Sequence, residues 1–513
     1  MFGAFPVNPN LPAVDPQDIP PPTPVLLPRY QPYASDNVLT DHSLLLPSLL
    51  ESTGRESVML GPDGLLAIGL DLKLDAELRD LVPAASSIPN FHKWECLTAE
   101  QAQSQAGSDR TTIRTGGKSP GSEIYLERKR ELANTNEDAF RTVRRIAAPR
   151  GKQQARLGNA YEFFRCLELF TSFWDDPSQP AELPPSPELS TSGEQHPVDT
   201  ESSCGMRNFS GESMPPEYRQ DLSTAFIKLV AYDFGCNVSP ARAEPRLHLT
   251  SPPGQHQRKS YTSSKCQFVF QSPMSREAAR AGHIYGPVAA VSARPTVNFT
   301  LPDPATAQSL DLAREIVTAL VTAQHRNREG KEEVRFGQDK WWATRQRWGG
   351  GSGGPIGREV DTRDASVGHE APPGTQEDKD GPVMKRARKT LPIYDKYRMV
   401  RPPSSTWDRK AKYEAIGKVK GAAHDDIFVV SSLFHHVSIL RVRVPLRLLD
   451  VLAGSPEPDV AKRSWGKVDA WRSPWYDLFD IDQRIAAMRC MWAVMAYQMR
   501  DTAAEEETGP IQA

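Results

Sequence analysis

Stretches without large apolar side chains divide this chain and limit how it can fold. One of them, DDPSQPAELPPSPELSTSGEQHPVDTESS, begins at Asp175, directly after a segment rich in aromatic residues. A stretch of this composition cannot bury enough apolar surface to offset the entropy lost on ordering it. The core must therefore be assembled from separate segments, with inserts between them.

Composition supports the same view. The chain has 513 residues, of which 45 are proline and 38% are hydrophobic, and its mean hydropathy is −0.52. The formal net charge is −2, so an attraction to nucleic acid or to a membrane must come from a local segment. We predict an α+β protein with a helix-rich core, a small sheet and long disordered inserts.

The segment boundaries follow from where apolar periodicity begins and ends. Core segments are predicted at 123–175 (helical), 214–347 (α+β) and 391–501 (α+β). The other ranges are predicted to be a Pro-rich disordered tail (1–35), a mostly irregular, partly ordered region (36–122), a disordered insert (176–213), a Gly-rich then acidic linker with a basic signal (348–390) and a disordered tail (502–513).

Within the core segments, the apolar spacing predicts individual elements. Helical spacing runs from Ala160 to Trp174, and again after Pro215 and Pro216. Two further helices are predicted after the capping residues Asp303 and Asp480, the second with Gln483 completing a variant capping box. Strands are predicted at CQFVFQ, IFVV and VSILRVRV.

The glycine run WGGGSGGPIGRE after Arg347 fits two catalytic motifs, G-x-G-x-x-G and G-x-S-x-G. Both motifs need a strand before the glycines and a helix after them, and the flanking residues provide neither. We therefore interpret the run as a linker.

The residues just before the glycine run mix aromatic rings with cations. They are Trp341, Trp342, Arg345 and Arg347. This mixture is typical of proteins that stack on single-stranded nucleic acid. The alternative is that the tryptophans anchor the end of the ordered region before the chain leaves it.

A compact basic cluster is the most specific short signal. Lys385, Arg386, Arg388 and Lys389 lie within PVMKRARKTLP, a pattern that an importin-type receptor recognises in a nuclear signal. The positive charge continues through Lys410 and Lys412 among aromatic residues. This strip is predicted to bind an acidic protein or nucleic acid, or alternatively to fold against the acidic stretch before it.

Two pairs of residues on or just before the predicted strand VSILRVRV carry other hypotheses. Arg441 and Arg443 share one strand face, which suits a carboxylate or phosphate partner, although a solvated face is the plainer interpretation. His435 and His436 are adjacent, so strand alternation predicts that they point to opposite faces and cannot bind one metal. A metal or acid–base site would then need the nearby Asp425 or Asp426.

The sequence motifs indicate no cofactor, no catalytic residue and no metal site. The six cysteines are scattered without a C-x-x-C pair, and neither a phosphate-loop lysine nor an H-E-x-x-H motif occurs. The first residues lack the apolar run of a secretory signal, and no long apolar span follows. We expect a protein of the nucleus or cytoplasm that is neither secreted nor membrane-bound, with an oligomeric state that the sequence leaves open.

Two passages resemble known sequences. LPIYDKYRMVRPPSSTWDRKAKYEAIGKVKG and WWATRQRWGGGSGGPIGRE resemble conserved, uncharacterised proteins of filamentous fungi, and the resemblance implies no activity. From the residues alone we predict a non-catalytic nuclear or nucleocytoplasmic interaction protein that binds an acidic partner through its basic, aromatic segment. The alternatives are a nucleic-acid-binding regulator and an enzyme of unfamiliar motif that uses His435 or His436.

Overall fold

The fold combines helices and a large mixed sheet, which confirms the predicted α+β class. A computed structural model describes residues 16, 25–30, 45–52, 61–105, 110–114, 116–173, 211, 214–239, 245–254, 257–271, 283–294, 296, 303–330, 412–459 and 462–502. Within these ranges no helix has both the length and the apolar content that crossing a membrane requires.

The described residues form twelve α-helices and eleven strands. The helices are α1 (Leu46–Ser52), α2 (Pro62–Ile68), α3 (Leu78–Leu81), α4 (Phe91–Glu95), α5 (Ala99–Gln105), α6 (Ser122–Leu132), α7 (Asn136–Val143), α8 (Tyr161–Leu169), α9 (Pro216–Ala231), α10 (Pro304–Arg326), α11 (Leu446–Leu452) and α12 (Ile481–Met499). The strands are β1 (Leu70–Lys73), β2 (Cys236–Ser239), β3 (Arg246–Thr250), β4 (Lys259–Ser263), β5 (Gln267–Gln271), β6 (His283–Ala293), β7 (Lys412–Glu414), β8 (His424–Leu433), β9 (His436–Pro445), β10 (Val468–Arg472) and β11 (Tyr476–Asp477).

Nine of these strands form one sheet. Its main path runs β1-β10-β9-β8-β6-β5-β2, while β11 pairs with β9 and β7 pairs with β6. The pairs β8–β9, β9–β10 and β5–β6 are antiparallel, whereas β6–β8 and β1–β10 are parallel. Since parallel neighbours need a crossover, α10 carries the chain from β6 across the sheet towards β8.

The elements with the clearest sequence signals form where the sequence predicts them. Pro216 begins α9, and Asp303 caps α10 by accepting a hydrogen bond from the Thr306 amide at 3.0 Å. Asp480 caps α12 in the same way, through the Gln483 amide at 2.8 Å. The Gln483 side chain, however, accepts a hydrogen bond from the Asp477 amide at 2.9 Å. It therefore stabilises β11 and does not complete the expected capping box.

The sheet separates two apolar cores. One face packs against α4, α6 to α9 and α12, and the other against α1, α2, α10, α11 and the β3–β4 hairpin. The β8–β9 hairpin serves both, because alternate side chains of a strand point to opposite faces: Phe428 and Ile439 enter the first core, and Ile427 and Leu440 the second. The result is a three-layer arrangement with the sheet in the middle.

Charged side chains cross the second core and join α10 to the sheet. Asp311 and Glu315 lie four residues apart, on one face of α10. Asp311 accepts from Nε of Arg294 at 2.6 Å, while Glu315 forms ion pairs with Arg294 and Arg472 and accepts from the Ser431 hydroxyl. We call Arg294, Asp311, Glu315 and Arg472 the ionic cluster. All four are buried, so two arginines and two carboxylates balance each other away from water.

A short piece of the N-terminal region covers this cluster. Residues 25–30 lie within the predicted tail 1–35, yet Tyr30 is buried. Its hydroxyl donates to Asp311 Oδ2 at 2.5 Å, and its ring lies 4.9 Å from the guanidinium of Arg472. Burial raises the pKa of Tyr30 and lowers that of Arg472, so the phenol stays protonated and acts as a donor.

We predict that Glu315→Gln lowers the free energy of unfolding by about 3–5 kcal/mol, because it leaves a buried guanidinium without its counter-charge. Urea unfolding monitored by circular dichroism measures the change. Glu100→Gln, at an exposed position of α5, is the matched control and should change stability by less than about 0.5 kcal/mol. Equal stabilities of the two variants would show that the cluster does not hold α10 in place.

Candidate functional site

Arg441 and Arg443 lie on β9, on the face predicted from strand alternation. Leu440, Val442 and Val444 point to the opposite face and enter the second core. The two arginines nevertheless have different surroundings, and the prediction that both lie on an exposed face is wrong. Arg441 is 3% exposed, whereas the side chain of Arg443 is 34% exposed.

Arg441 is a structural residue. Its Nε donates to Asp426 Oδ1 at 2.7 Å, and its Nη1 donates to the Asp80 carbonyl at 3.1 Å. Its guanidinium lies 4.1 Å from the ring centroid of Trp471, close enough for a cation–π interaction. Because α3 and β10 cover it, Arg441 cannot reach a partner in solution.

Arg443 belongs to a small basic and aromatic surface that we call the Trp471 patch, made of Lys73, Arg443 and Trp471. The Arg443 guanidinium lies 5.5 Å and the Lys73 ammonium 5.6 Å from the Trp471 ring centroid. Lys73 is exposed, and pairing of β1 with β10 places it beside Trp471. Asp426 approaches Arg443 to 3.6 Å and offsets part of the positive charge.

The segment 331–411 leaves and rejoins the fold at one place. Glu329, just before it, accepts a hydrogen bond through Oε1 from the Ala415 amide at 3.3 Å. Arg114 adds ion pairs to Glu329 at 3.8 Å and to Glu414 at 3.5 Å. We call Arg114, Glu329, Glu414 and Ala415 the neck, since the two ends of the segment meet there.

A buried arginine fixes the neck to the sheet. Arg326, at the end of α10, binds Asp425 with two hydrogen bonds of 2.7 and 3.0 Å. It also donates to the carbonyls of Ile416 at 2.7 Å and Pro287 at 2.8 Å. Asp425 is the chain neighbour of Asp426, the residue that contacts Arg443. The Arg326–Asp425 contact and the Asp426–Arg443 contact therefore lie at the same end of β8, on opposite faces of the sheet.

Most of the basic residues singled out in the sequence fall outside the described residues. These are Trp341, Trp342, Arg345, Arg347, Lys385, Arg386, Arg388, Lys389 and Lys410. Lys412 is the first residue of β7, paired with His283 of β6. The structure therefore describes the attachment of the basic segment but not the segment itself.

The two histidines converge, contrary to the prediction from strand alternation. His435 lies in the turn between β8 and β9, where Phe434 has a positive φ of 50°, so the alternation of a strand does not apply. The two imidazole centroids are 4.3 Å apart. Asp425, expected to lie near them, is at the opposite end of the hairpin, where it pairs with Val444.

The carboxylate beside the histidines is Asp477, which the sequence did not indicate. Its Oδ1 lies 2.8 Å from Nδ1 of His435 and also accepts from the Phe479 amide at 2.8 Å. Burial is the largest single influence and opposes the charge of Asp477, but the hydrogen bonds from His435 and the Phe479 amide, together with the nearby imidazoles, outweigh it and lower the pKa of Asp477. Burial lowers the pKa of His436 to about 4, so its ring is neutral at pH 7.

Sequence reasoning missed Asp477, Lys73 and Glu329 because each acts with a partner far along the chain. Asp477 is 42 residues from His435, and Lys73 meets Trp471 through the pairing of β1 with β10. No short motif marks such contacts. Only knowledge of the strand order could have identified them.

The two arginines of β9 give a matched test. We predict that Arg441→Met lowers the free energy of unfolding by about 3–5 kcal/mol, since Asp426 is buried and loses its nearest cation. Arg443→Met should cost less than about 1 kcal/mol, as expected for a partly exposed ion pair. Urea denaturation of both proteins measures the difference. A loss for Arg443→Met as large as that for Arg441→Met would contradict the assignment.

Comparison with known proteins adds no relative. The chain matches no protein-family model, no curated protein and no solved structure. The role of this protein is therefore inferred from the contacts of its own side chains and from the distribution of charge along its sequence.

Proposed function

We propose that this chain is a non-catalytic interaction protein of the nucleus or nucleocytoplasm, which binds an acidic partner through the basic, aromatic part of segment 331–411. The supporting observation is the neck. Glu329 and Ala415 are joined by a hydrogen bond of 3.3 Å, so the segment begins and ends at one point of the folded core. An insertion attached in this way contributes its residues to binding without separating elements of the core.

The charge of the segment supports an acidic ligand. It contains 17 Lys and Arg against 12 Asp and Glu, although the whole chain carries a net charge of −2. Between 385 and 411 the ratio rises to nine against two, with Tyr394, Tyr397 and Trp407 interspersed. Cations and aromatic rings together bind carboxylates and phosphates through ion pairs and stacking.

The Trp471 patch extends this surface onto the folded core. Arg443 contacts Asp426 at the end of β8 to which Arg326 fixes the neck, and Lys73 shares the Trp471 ring with Arg443. These two exposed or partly exposed cations can add to the binding of an acidic partner. By contrast, the buried arginines Arg294, Arg441 and Arg472 are occupied by internal carboxylates, so they belong to the scaffold rather than to a reaction.

A nuclear location would follow from Lys385, Arg386, Arg388 and Lys389. In this proposal an importin-type receptor binds these four side chains, and the same cations are free for the acidic partner after import. Because the importin-type receptor and the acidic partner bind the same four side chains, the protein cannot bind both at once.

We predict that a segment variant loses affinity for an acidic peptide by at least about tenfold, because it removes several charge pairs worth about 0.2–1 kcal/mol each. It carries Gln at Lys385, Arg386, Arg388, Lys389, Arg409 and Lys410. The measurement is fluorescence anisotropy of a labelled polyglutamate peptide across a salt series. Affinity of the natural protein should fall as salt increases.

The control variant removes the same charge from exposed positions of the core. It carries Gln at Lys93, Arg150, Arg156, Lys259, Lys265 and Lys462, all of which are exposed. It should bind as the natural protein does. Equal losses for the two variants would mean that net charge alone governs binding, which would refute the proposal.

The same titrations separate the nucleic-acid alternative. Labelled single-stranded RNA and duplex DNA replace the peptide at equal salt. Binding to nucleic acid with no binding to the peptide would make the chain a nucleic-acid-binding regulator, with a salt slope that counts the phosphates contacted. Fluorescent fusions of the two variants add a second readout, in which only the segment variant should leave the nucleus.

A further inference from the structure

The turn between β8 and β9 gathers three side chains that can each offer a metal ligand. They are His435, His436 and Asp477, and their ligand atoms all lie within 4.8 Å of one another. This cluster plays no part in the proposed partner binding, because it lies at the end of the hairpin opposite to Asp426 and Arg443.

Backbone pairing holds the three residues together. His436 closes the hairpin opposite Leu433, and β11 then pairs with β9 so that Asp477 lies opposite His436. The Leu478 amide donates to the carbonyl of His435 at 3.1 Å. Since three strands determine these positions, the ligand atoms are placed by the sheet rather than by a freely moving loop.

The carboxylate is already oriented. Asp477 Oδ1 is held by His435 Nδ1 and by the Phe479 amide, both at 2.8 Å, while Gln483 fixes the Asp477 backbone through the amide at 2.9 Å. A carboxylate that touches an imidazole is common around protein-bound metal ions, where it orients the ring or binds the ion.

One buried nitrogen of the His436 ring lacks the partner that a metal ion would provide. This atom, Nδ1, has no hydrogen-bond partner among the described residues. A buried polar atom without a partner costs about 1–3 kcal/mol.

We propose that His435, His436 and Asp477 bind one divalent transition-metal ion of the Zn²⁺ class, through one nitrogen of each imidazole and a carboxylate oxygen. Two imidazoles and one carboxylate suit Zn²⁺ and its neighbours rather than Mg²⁺ or Ca²⁺, which prefer oxygen ligands. Around a tetrahedral Zn²⁺ at about 2.0–2.2 Å, ligand atoms lie about 3.3 Å apart. That spacing falls between the 2.8 Å of the His435–Asp477 contact and the 4.8 Å limit of the cluster.

Solvent would complete the coordination. His436 and Asp477 are partly exposed, whereas His435 is buried, so an ion can approach from the outer side and retain a water molecule there. Three protein ligands with an open fourth position are typical of zinc sites that exchange ligands. The site would therefore be accessible to titration with free metal ions.

The test is a metal titration of the full chain after removal of metals with a chelator. Zn²⁺ and Co²⁺ are the probes and Mg²⁺ is the comparison, in a Cys96→Ser background that removes an exposed thiol. Calorimetry gives stoichiometry and affinity, and the visible spectrum of Co²⁺ reports coordination geometry. We expect one Zn²⁺ or Co²⁺ per chain, a spectrum of tetrahedral intensity and no binding of Mg²⁺.

Three variants decide whether the cluster holds the ion. His436→Gln and Asp477→Asn each remove a ligand and should weaken Zn²⁺ binding by at least about 100-fold, beyond the 10–100-fold typical of supporting residues. His424→Gln, at the other end of the hairpin, should leave affinity unchanged. Circular dichroism and urea unfolding establish that each variant is folded.

Two results would overturn the proposal. One is a folded natural protein that takes up no Zn²⁺ or Co²⁺. The other is an ion that binds the His436→Gln variant as tightly as the natural protein, which would place it elsewhere in the chain.

Discussion

The ionic cluster beneath α10 is the interaction on which the rest of the structure depends. Asp311 and Glu315 on α10 pair with Arg294, directly after β6, and with Arg472 of β10, and all four charges are buried. Buried charges of this kind are tolerated only when their partners are in place, so the cluster fixes the helix in one position. The C-terminal end of α10 is then held by Arg326, which determines where the segment 331–411 leaves the core.

The helices and the two central strands, β8 and β9, could be predicted because their signals are local. Asp303, Pro304 and Asp480 mark helix starts by their own capping chemistry, and alternation alone places Leu440 and Val442 in the core. The contacts of Arg441 and His435 could not be predicted. Arg441 donates to the Asp80 carbonyl, 361 residues away in sequence, and His435 contacts the Asp477 carboxylate, 42 residues away.

The same separation explains how charge is divided between the folded core and segment 331–411. Core arginines such as Arg326 and Arg441 are engaged by the carboxylates of β8, so their charge does not reach solvent. The positive charge that we propose for binding lies in 331–411 and, on the core, in Arg443 and Lys73. Folding and the proposed partner binding thus use different sets of charges.

Replacing residues 331–411 with a short Gly/Ser linker tests this separation most directly. Because Glu329 and Ala415 already meet, a short linker can join the ends, and the smaller loop should leave stability unchanged or raise it by up to about 2 kcal/mol. Our account predicts this stability by urea unfolding together with loss of polyglutamate binding. A protein that unfolds several kcal/mol more easily, or that still binds the peptide at the natural affinity, would contradict it.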